Sequence, residues 1–195
     1  MIGFVFAVAL AAPPVADLET VAAALRRAPA WEVAFTQRYV PAGFTRGSEE
    51  RGTLLLQPPH KARFEYAGRV FAVNHTVARL VDVEGGTCEA VRLSPDTLDR
   101  LPLAAVLDPG AARASFEVEA APRALTLVPQ SLSSSVAKIV LHLTPDGLPS
   151  QIVVYDSSGD RNEFHFQRWR RRGVLPDNAF APSLPGLSPC EPEDG

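Results

Sequence analysis

The chain is short of the residues that most enzyme chemistry uses. It holds 4 histidines and 2 cysteines in 195 residues, and His60, His75, His142 and His165 never recur at the spacing of three to five that would put two ligands on one metal ion. Gly-x-Ser-x-Gly and phosphate-cradling glycine loops are absent, and Cys88 lacks the neighbours of a nucleophile. A surplus of positive charge is missing too: the net charge is −3, so no chain-wide basic field is available to collect phosphates. No apolar run reaches the roughly 20 residues that cross a bilayer. These absences remove metal and nucleophilic catalysis, nucleotide binding, nucleic-acid binding and a membrane-spanning helix. No cofactor, metal or catalytic residue is assigned, and the chain is read as a binding protein and not an enzyme.

What is present begins with an apolar run from Met1 to Ala12, the length of a signal-peptide core, which contains near its end the small-x-small pattern Ala9-Leu10-Ala11. Residues 1–16 are therefore expected to be an export signal cut between Ala11 and Ala16, which places the mature protein in the periplasm. No cysteine stands near the cut to accept an acyl anchor. In an exported protein the pair Cys88 and Cys190 is compatible with one disulfide or with two free thiols. If bridged, it closes a loop of about 100 residues, worth roughly 4 to 5 kcal/mol in the chain-entropy model.

Residues 17–181 read as one mainly β domain. Asp17 to Arg27 has a helical period, with Asp17 as N-cap and Leu18, Val21, Ala22 and Leu25 at spacings of three and four. From Trp31 the period becomes two, with Trp31, Val33, Phe35, Gln37 and Tyr39 on one face. After a turn containing Arg46 to Arg51, strands are predicted from Gly52, over 62–66, 69–73, 77–83, 115–120, 124–128, 136–144, 150–156 and 162–169. Gly, Pro, Asn, Asp or Ser separate them, as in a meander curling into a barrel or deeply curved sheet. Pro145-Asp146-Gly147 and Ser157-Ser158-Gly159-Asp160 mark two hairpins, with Asp156 and Asp160 as turn residues. Thr97 to Leu107 breaks the β pattern with an apolar, roughly helical stretch. His142 and His165 fall where adjacent strands would make them neighbours. The tail over 182–195 is rich in proline and acid, and no regular structure is expected there.

Trp31-Glu32-Val33-Ala34-Phe35-Thr36-Gln37, then Gly52-Thr53-Leu54 with Pro59, then Arg63-Phe64-Glu65-Tyr66 resemble the periplasmic lipoprotein carriers of the LolA family. Leu125 to Pro129, Ile139 to Leu143 before Asp146-Gly147, Val154 to Phe166, and Phe180 with Pro182 follow in that family's order. The resemblance implies a curved antiparallel sheet forming an incomplete barrel, closed by a helical lid over an apolar cavity that takes the acyl chains of lipoproteins. It further implies, as partners, acylated lipoproteins, an inner-membrane ABC transporter that releases them and an outer-membrane acceptor, with a carrier that works as a monomer. Two positions depart from the family pattern. Pro58 stands where the family usually has an arginine that latches the lid, and Ala62 where an aromatic is usual, so the gating is either altered or supplied by His60, Lys61 or Arg63.

A lipid anchor carries tens of methylenes, each worth about 0.8 kcal/mol when removed from water, so its passage through an aqueous space requires an apolar lining. The candidate lining residues are Trp31, Val33, Phe35, Leu54, Leu56, Phe64, Tyr66, Leu98, Leu101, Val106, Leu107, Phe164 and Phe166, which would otherwise fill an ordinary core. Arg168-Trp169-Arg170-Arg171-Arg172 is the one strong local charge feature. It is either a solvated strand end or a contact patch through Arg170, Arg171 and Arg172 for an acidic partner or anionic headgroups. The alternative function on the same fold is a periplasmic lipid-binding or sensory module with a membrane partner.

Overall fold

The Asp17 carboxylate accepts a hydrogen bond from the Thr20 backbone N–H at 2.6 Å and so opens the first helix, α1 (Leu18–Leu25). Leu18, Val21 and Leu25 fall on one stripe of that helix and are buried. The structure, a computed structural model, describes residues 16–94, 107–131 and 134–192. Among these, α1 is followed by β1 (Ala30–Val40), β2 (Ser48–Gln57), β3 (Lys61–Tyr66), β4 (Arg69–Asn74), β5 (Val77–Asp82) and β6 (Thr87–Arg92). A second helix, α2 (Pro109–Ser115), leads into β7 (Phe116–Ala121), β8 (Ala124–Pro129), β9 (Val136–Leu143), β10 (Pro149–Asp156), β11 (Arg161–Phe166) and β12 (Arg170–Arg172). A 3₁₀ turn over Asp177–Phe180 comes last.

The strands form one antiparallel sheet of 12, in the order β6-β5-β4-β3-β2-β1-β11-β10-β9-β8-β7 with β12 off this path against β1. β1 is the seam. One of its edges pairs with β2 from Trp31 to Tyr39, while the other is shared, Ala30 to Glu32 with β12 and Phe35 to Val40 with β11. Two meanders thus spread from β1, and β6 and β7 end the path unpaired with each other. The sheet is an open, curved barrel with the helices laid against it.

Register sorts the side chains onto two faces. Trp31, Val33 and Phe35 stand opposite Leu56, Leu54 and Gly52, Phe64 and Tyr66 opposite Leu54 and Gly52, and Ile152 opposite Phe164 and Leu141. These residues line the inner face and join Leu18, Val21 and Leu25 of α1 in one core. Gly52 has a steric reason to lack a side chain. A Cβ there would lie 2.6 Å from the Phe35 ring and 2.4 Å from the Glu65 carbonyl oxygen.

On the outer face, the chain beyond β12 lies along β3 to β6. Lys61 pairs with Asp177, and the Arg63 guanidinium donates to the Ala179 carbonyl at 3.1 Å. The buried Arg79 donates to the Cys190 carbonyl at 2.8 Å, and Cys190 is disulfide-bonded to Cys88 of β6. Val70, Ala72 and Val81, which share this outer register, are buried, as is Phe180 of the 3₁₀ turn. Residues 182–192 have no helix or strand.

Several elements differ from the sequence expectations. β2 begins at Ser48, inside the stretch read as turn, because the long edge of β1 pairs with it that far. β6, β12 and α2 were not expected. The predicted strand 162–169 stops at Phe166 and resumes as β12, where pairing passes to the first residues of β1. His142 and His165 are not neighbours: β10 runs between them, and Gln151 pairs with both. Residues 1–15 of the expected export signal over 1–16, and residues 97–106 of the expected apolar helical stretch, lie outside the described residues.

Two stability tests follow from this packing. Gly52→Ala should lower unfolding free energy by about 1 to 3 kcal/mol, since the new methyl meets backbone that cannot swing aside. In denaturant titration, an unchanged midpoint would contradict the close approach of Phe35. Cys190→Ser opens a loop of 102 residues and should cost about 4 to 5 kcal/mol; a loss below 1 kcal/mol would show the tail held by its other contacts.

Candidate functional site

The inner face carries a belt of aromatic rings around Phe35. Phe35 meets Phe64 edge-on with centroids 5.7 Å apart, Tyr66 at 5.3 Å and Phe164 at 6.0 Å. Phe64 continues the belt to Phe71, and Phe164 stacks on Phe166. The proposed lining residues divide by depth. Trp31, Val33, Phe35, Leu54, Leu56, Leu107 and Phe166 are buried in the core, whereas Phe64, Tyr66 and Phe164 are only half-buried along its margin. Leu98, Leu101 and Val106 lie outside the described residues.

The same inner register runs on through Phe71, Leu80 and Val91 in β4, β5 and β6. Leu80 is 42% exposed and Val91 54%, so the apolar face extends past the packed core to an accessible shelf. The sequence reading missed both. Alternation in β5, which pairs Leu80 with Ala78 on one face, was the available signal for Leu80.

A polar chain borders the aromatic belt. The Tyr66 hydroxyl donates to the Gln37 side-chain carbonyl, and the Gln37 amide donates to the Asn162 side-chain carbonyl at 2.9 Å. Burial pushes the Tyr66 phenol up to about 12, with Arg69 pulling down and Glu50 pushing up. Arg69 lies over the Tyr66 ring, 4.8 Å from its centroid, and pairs with Glu50.

The arginine run is split by strand alternation. Arg172 donates to the Glu32 carboxylate at 3.0 Å, and Arg170 lies 3.8 Å from it. Arg171 turns the other way, 5.9 Å from the Trp31 ring centre, into a cleft of about 300 Å³ lined also by Arg27, Asp146 and Trp169. There the Arg27 guanidinium donates to the Asp146 carbonyl, and the Thr144 hydroxyl holds the Asp146 carboxyl below its usual range. Trp31 and Trp169 meet edge-to-face at 6.0 Å and donate their indole N–H groups to the carbonyls of Leu25 and Pro149. Arg63 and Lys61 point outward onto the C-terminal segment, away from this face. Among the described residues, no cluster of His, Cys, Asp and Glu is placed to hold a metal ion, and no helix is long and apolar enough to cross a membrane.

An open curved sheet with an aromatic inner face and helices laid against it is the architecture of a known group of carriers. The family model described as outer membrane lipoprotein carrier protein LolA matches residues 26–183, and the chain belongs to that family. Its fold is similar to a domain described as an outer membrane lipoprotein-sorting protein from Vibrio parahaemolyticus, with 13% identity, a TM-score of 0.50, and coverage of 84% of this chain and 95% of that one. A LolA superfamily protein from Nitrosomonas europaea is similar to the same degree, at 13% identity and TM-score 0.50, with 84% and 94% covered. No curated protein matches the chain significantly.

The position of Tyr66 sets a pH dependence. Its folded pKa, about 12, lies above the ordinary 10.0, so the folded state holds a proton that the unfolded chain releases first. Its contribution is complete below pH 10 and is lost as pH rises toward 12. In a stability-versus-pH series, Tyr66→Phe should flatten the decline over that window and remove a late phenolate step from the ultraviolet titration; a titration identical to wild type would contradict the buried setting.

Proposed function

We propose that the protein is a periplasmic carrier that holds the acyl chains of lipoproteins against the inner face of its sheet and ferries them from the inner membrane toward the outer membrane. The observation that carries this reading is the half-buried aromatic margin of Phe64, Tyr66 and Phe164, continued by the exposed Leu80 and Val91. A large apolar surface left accessible inside a curved sheet marks a ligand-binding face. Family membership supports the same reading. Deeper residues such as Phe35 and Leu54 give the face its shape, and rearrangement of the margin would open the remaining volume to acyl chains.

In this cycle an inner-membrane ABC transporter supplies the acylated protein and an outer-membrane acceptor receives it. Arg171 is the arginine of the basic run best placed to meet a partner or anionic headgroup, since Arg170 and Arg172 already face Glu32. The export signal over residues 1–16 supplies the compartment.

Phe164→Asp, at the margin, sets a charge against bound hydrocarbon while leaving the central core residues in place. It should weaken binding of a fluorescent fatty-acyl probe at least tenfold with an unchanged circular-dichroism spectrum. Mass spectrometry of protein purified from the periplasm should find acylated protein or lipid with wild type and much less with the variant. Equal probe binding by the two would overturn the reading.

A further inference from the structure

Along the inner face of β1 the side chains change from apolar to polar in order: Trp31, Val33, Phe35, then Gln37 and Tyr39, each step about 7 Å along the strand. The other strands change within one step of this, staggered across the sheet, with Tyr66 level with Phe35 across Gly52 and Asn162 level with Tyr39. Phe64 gives way to Tyr66 on β3, and Phe164 to Asn162 on β11. Beside them stand the Arg69–Glu50 pair, with Glu50 opposite Gln37 and Arg69 over the Tyr66 ring, and the hydrogen bond from the Tyr39 hydroxyl to Asp160. The face therefore passes from hydrocarbon to a staggered neutral level of hydrogen-bonding groups with charged groups beside it, as the chains of an acylated glycerol give way to its ester linkages and polar head.

The neutral level has a direction. Tyr66 O–H donates to the Gln37 carbonyl and Gln37 N–H donates to the Asn162 carbonyl, so the chain ends in the amide N–H groups of Asn162. Among the described residues no group accepts from the Asn162 amide nitrogen and no fully buried side-chain polar atom lacks a partner, so this nitrogen, on a half-buried residue, keeps some exposure. A donor presented beside an apolar belt, with its own carbonyl already occupied, suits a ligand group that only accepts.

We propose that Asn162, oriented by Gln37 and Tyr66, binds the ester carbonyl at the junction between acyl chain and glycerol, and so fixes how far the chains enter. This rests on the carrier reading and names the chemical group it selects. Diacyl esters come from two sources, the lipid anchor of a lipoprotein and membrane phospholipid, and the chemistry recognised is common to both. Tyr66 and Gln37 are positioning residues: they occupy the Asn162 carbonyl and leave its N–H groups as the ligand-facing end.

The test measures affinity of wild type, Asn162→Leu, Asn162→Asp and Tyr66→Phe for three probes: a synthetic diacylated lipopeptide, a diacyl phosphatidylglycerol and its dialkyl ether analogue, which lacks ester carbonyls. Asn162→Leu should weaken both ester probes about tenfold and leave the ether probe within twofold of wild type, while Asn162→Asp, whose charge also repels an anionic head, should weaken the ester phosphatidylglycerol about tenfold more than its ether analogue. Tyr66→Phe should weaken the ester probes less, about threefold, because it removes only the group that orients Gln37. Tighter binding of the lipopeptide than of phosphatidylglycerol identifies the lipoprotein anchor as the source, and the reverse identifies membrane lipid; the carbonyl contact stands in both cases. The near-isosteric Asn162→Asp, checked by circular dichroism, covers the event that Asn162→Leu fails to fold. Equal weakening of ester and ether probes, or no weakening of either, overturns the proposal and leaves the carrier reading intact. Wild type that binds none of the three overturns both.

Discussion

The contact between the Phe35 ring and the bare backbone of Gly52 organises the inner face. Strand β1 is the seam from which both wings of the sheet spread, and Phe35 lies near its middle, 1% exposed. Because residue 52 has no Cβ, the ring can come close to β2 and reach Tyr66 and Phe64 on the wing beyond, while it also meets Phe164 on the opposite wing. One side chain thereby contacts aromatic rings on both meanders. A fully closed barrel would need β6 to pair with β7. Their separation leaves an apolar face with a margin that is only half covered.

That margin suits reversible binding. Hydrocarbon burial contributes about 0.8 kcal/mol per methylene whatever the ligand, so chain burial holds cargo without telling one acylated molecule from another. Discrimination has to come from polar contacts, where a missing partner is costly. The Tyr66–Gln37–Asn162 chain is set where the apolar belt ends, which is where such a contact can act. The outer face is occupied differently. The C-terminal segment is clasped to β3–β6 by Arg63, Arg79 and the Cys88–Cys190 bond, which braces that wing while leaving its inner shelf uncovered by the tail.

Much of this was legible in the sequence where one physical signal dominated. Asp17 before a helical period gave the cap of α1, strict alternation from Trp31 gave β1, and Pro-Asp-Gly gave the β9–β10 hairpin. The family resemblance in the residues around Phe35 and Phe64 pointed to the incomplete barrel. What failed was local sequence without contrast. Thr87 to Arg92 forms an edge strand with little burial on either side, so no hydrophobic stripe marks it. Ser48 to Arg51 is polar and becomes strand only because β1 offers a partner. The helix α2 did leave a sign, Asp108 as N-cap before Pro109, but Asp-Pro-Gly also reads as a turn. For the site, strand alternation and the family resemblance suggested which aromatics face inward. Which of them stay accessible depends on tertiary packing, as does the alternation that separates Arg171 from Arg170 and Arg172. Gln37 and Asn162 are 125 positions apart, so only the pairing of β1 with β11 brings them together.

The most direct measurement is where an acyl chain lies when bound. Nuclear Overhauser contacts between the methylenes of a diacylated lipopeptide and the assigned aromatic protons of the protein would locate it without altering any residue. The carrier account expects contacts to Phe64, Tyr66 and Phe164, and from there to Leu80 and Val91 on the inner shelf. Contacts confined to outer-face residues such as Val70 and Phe180, or a saturated sample with none to the inner aromatics, would contradict it.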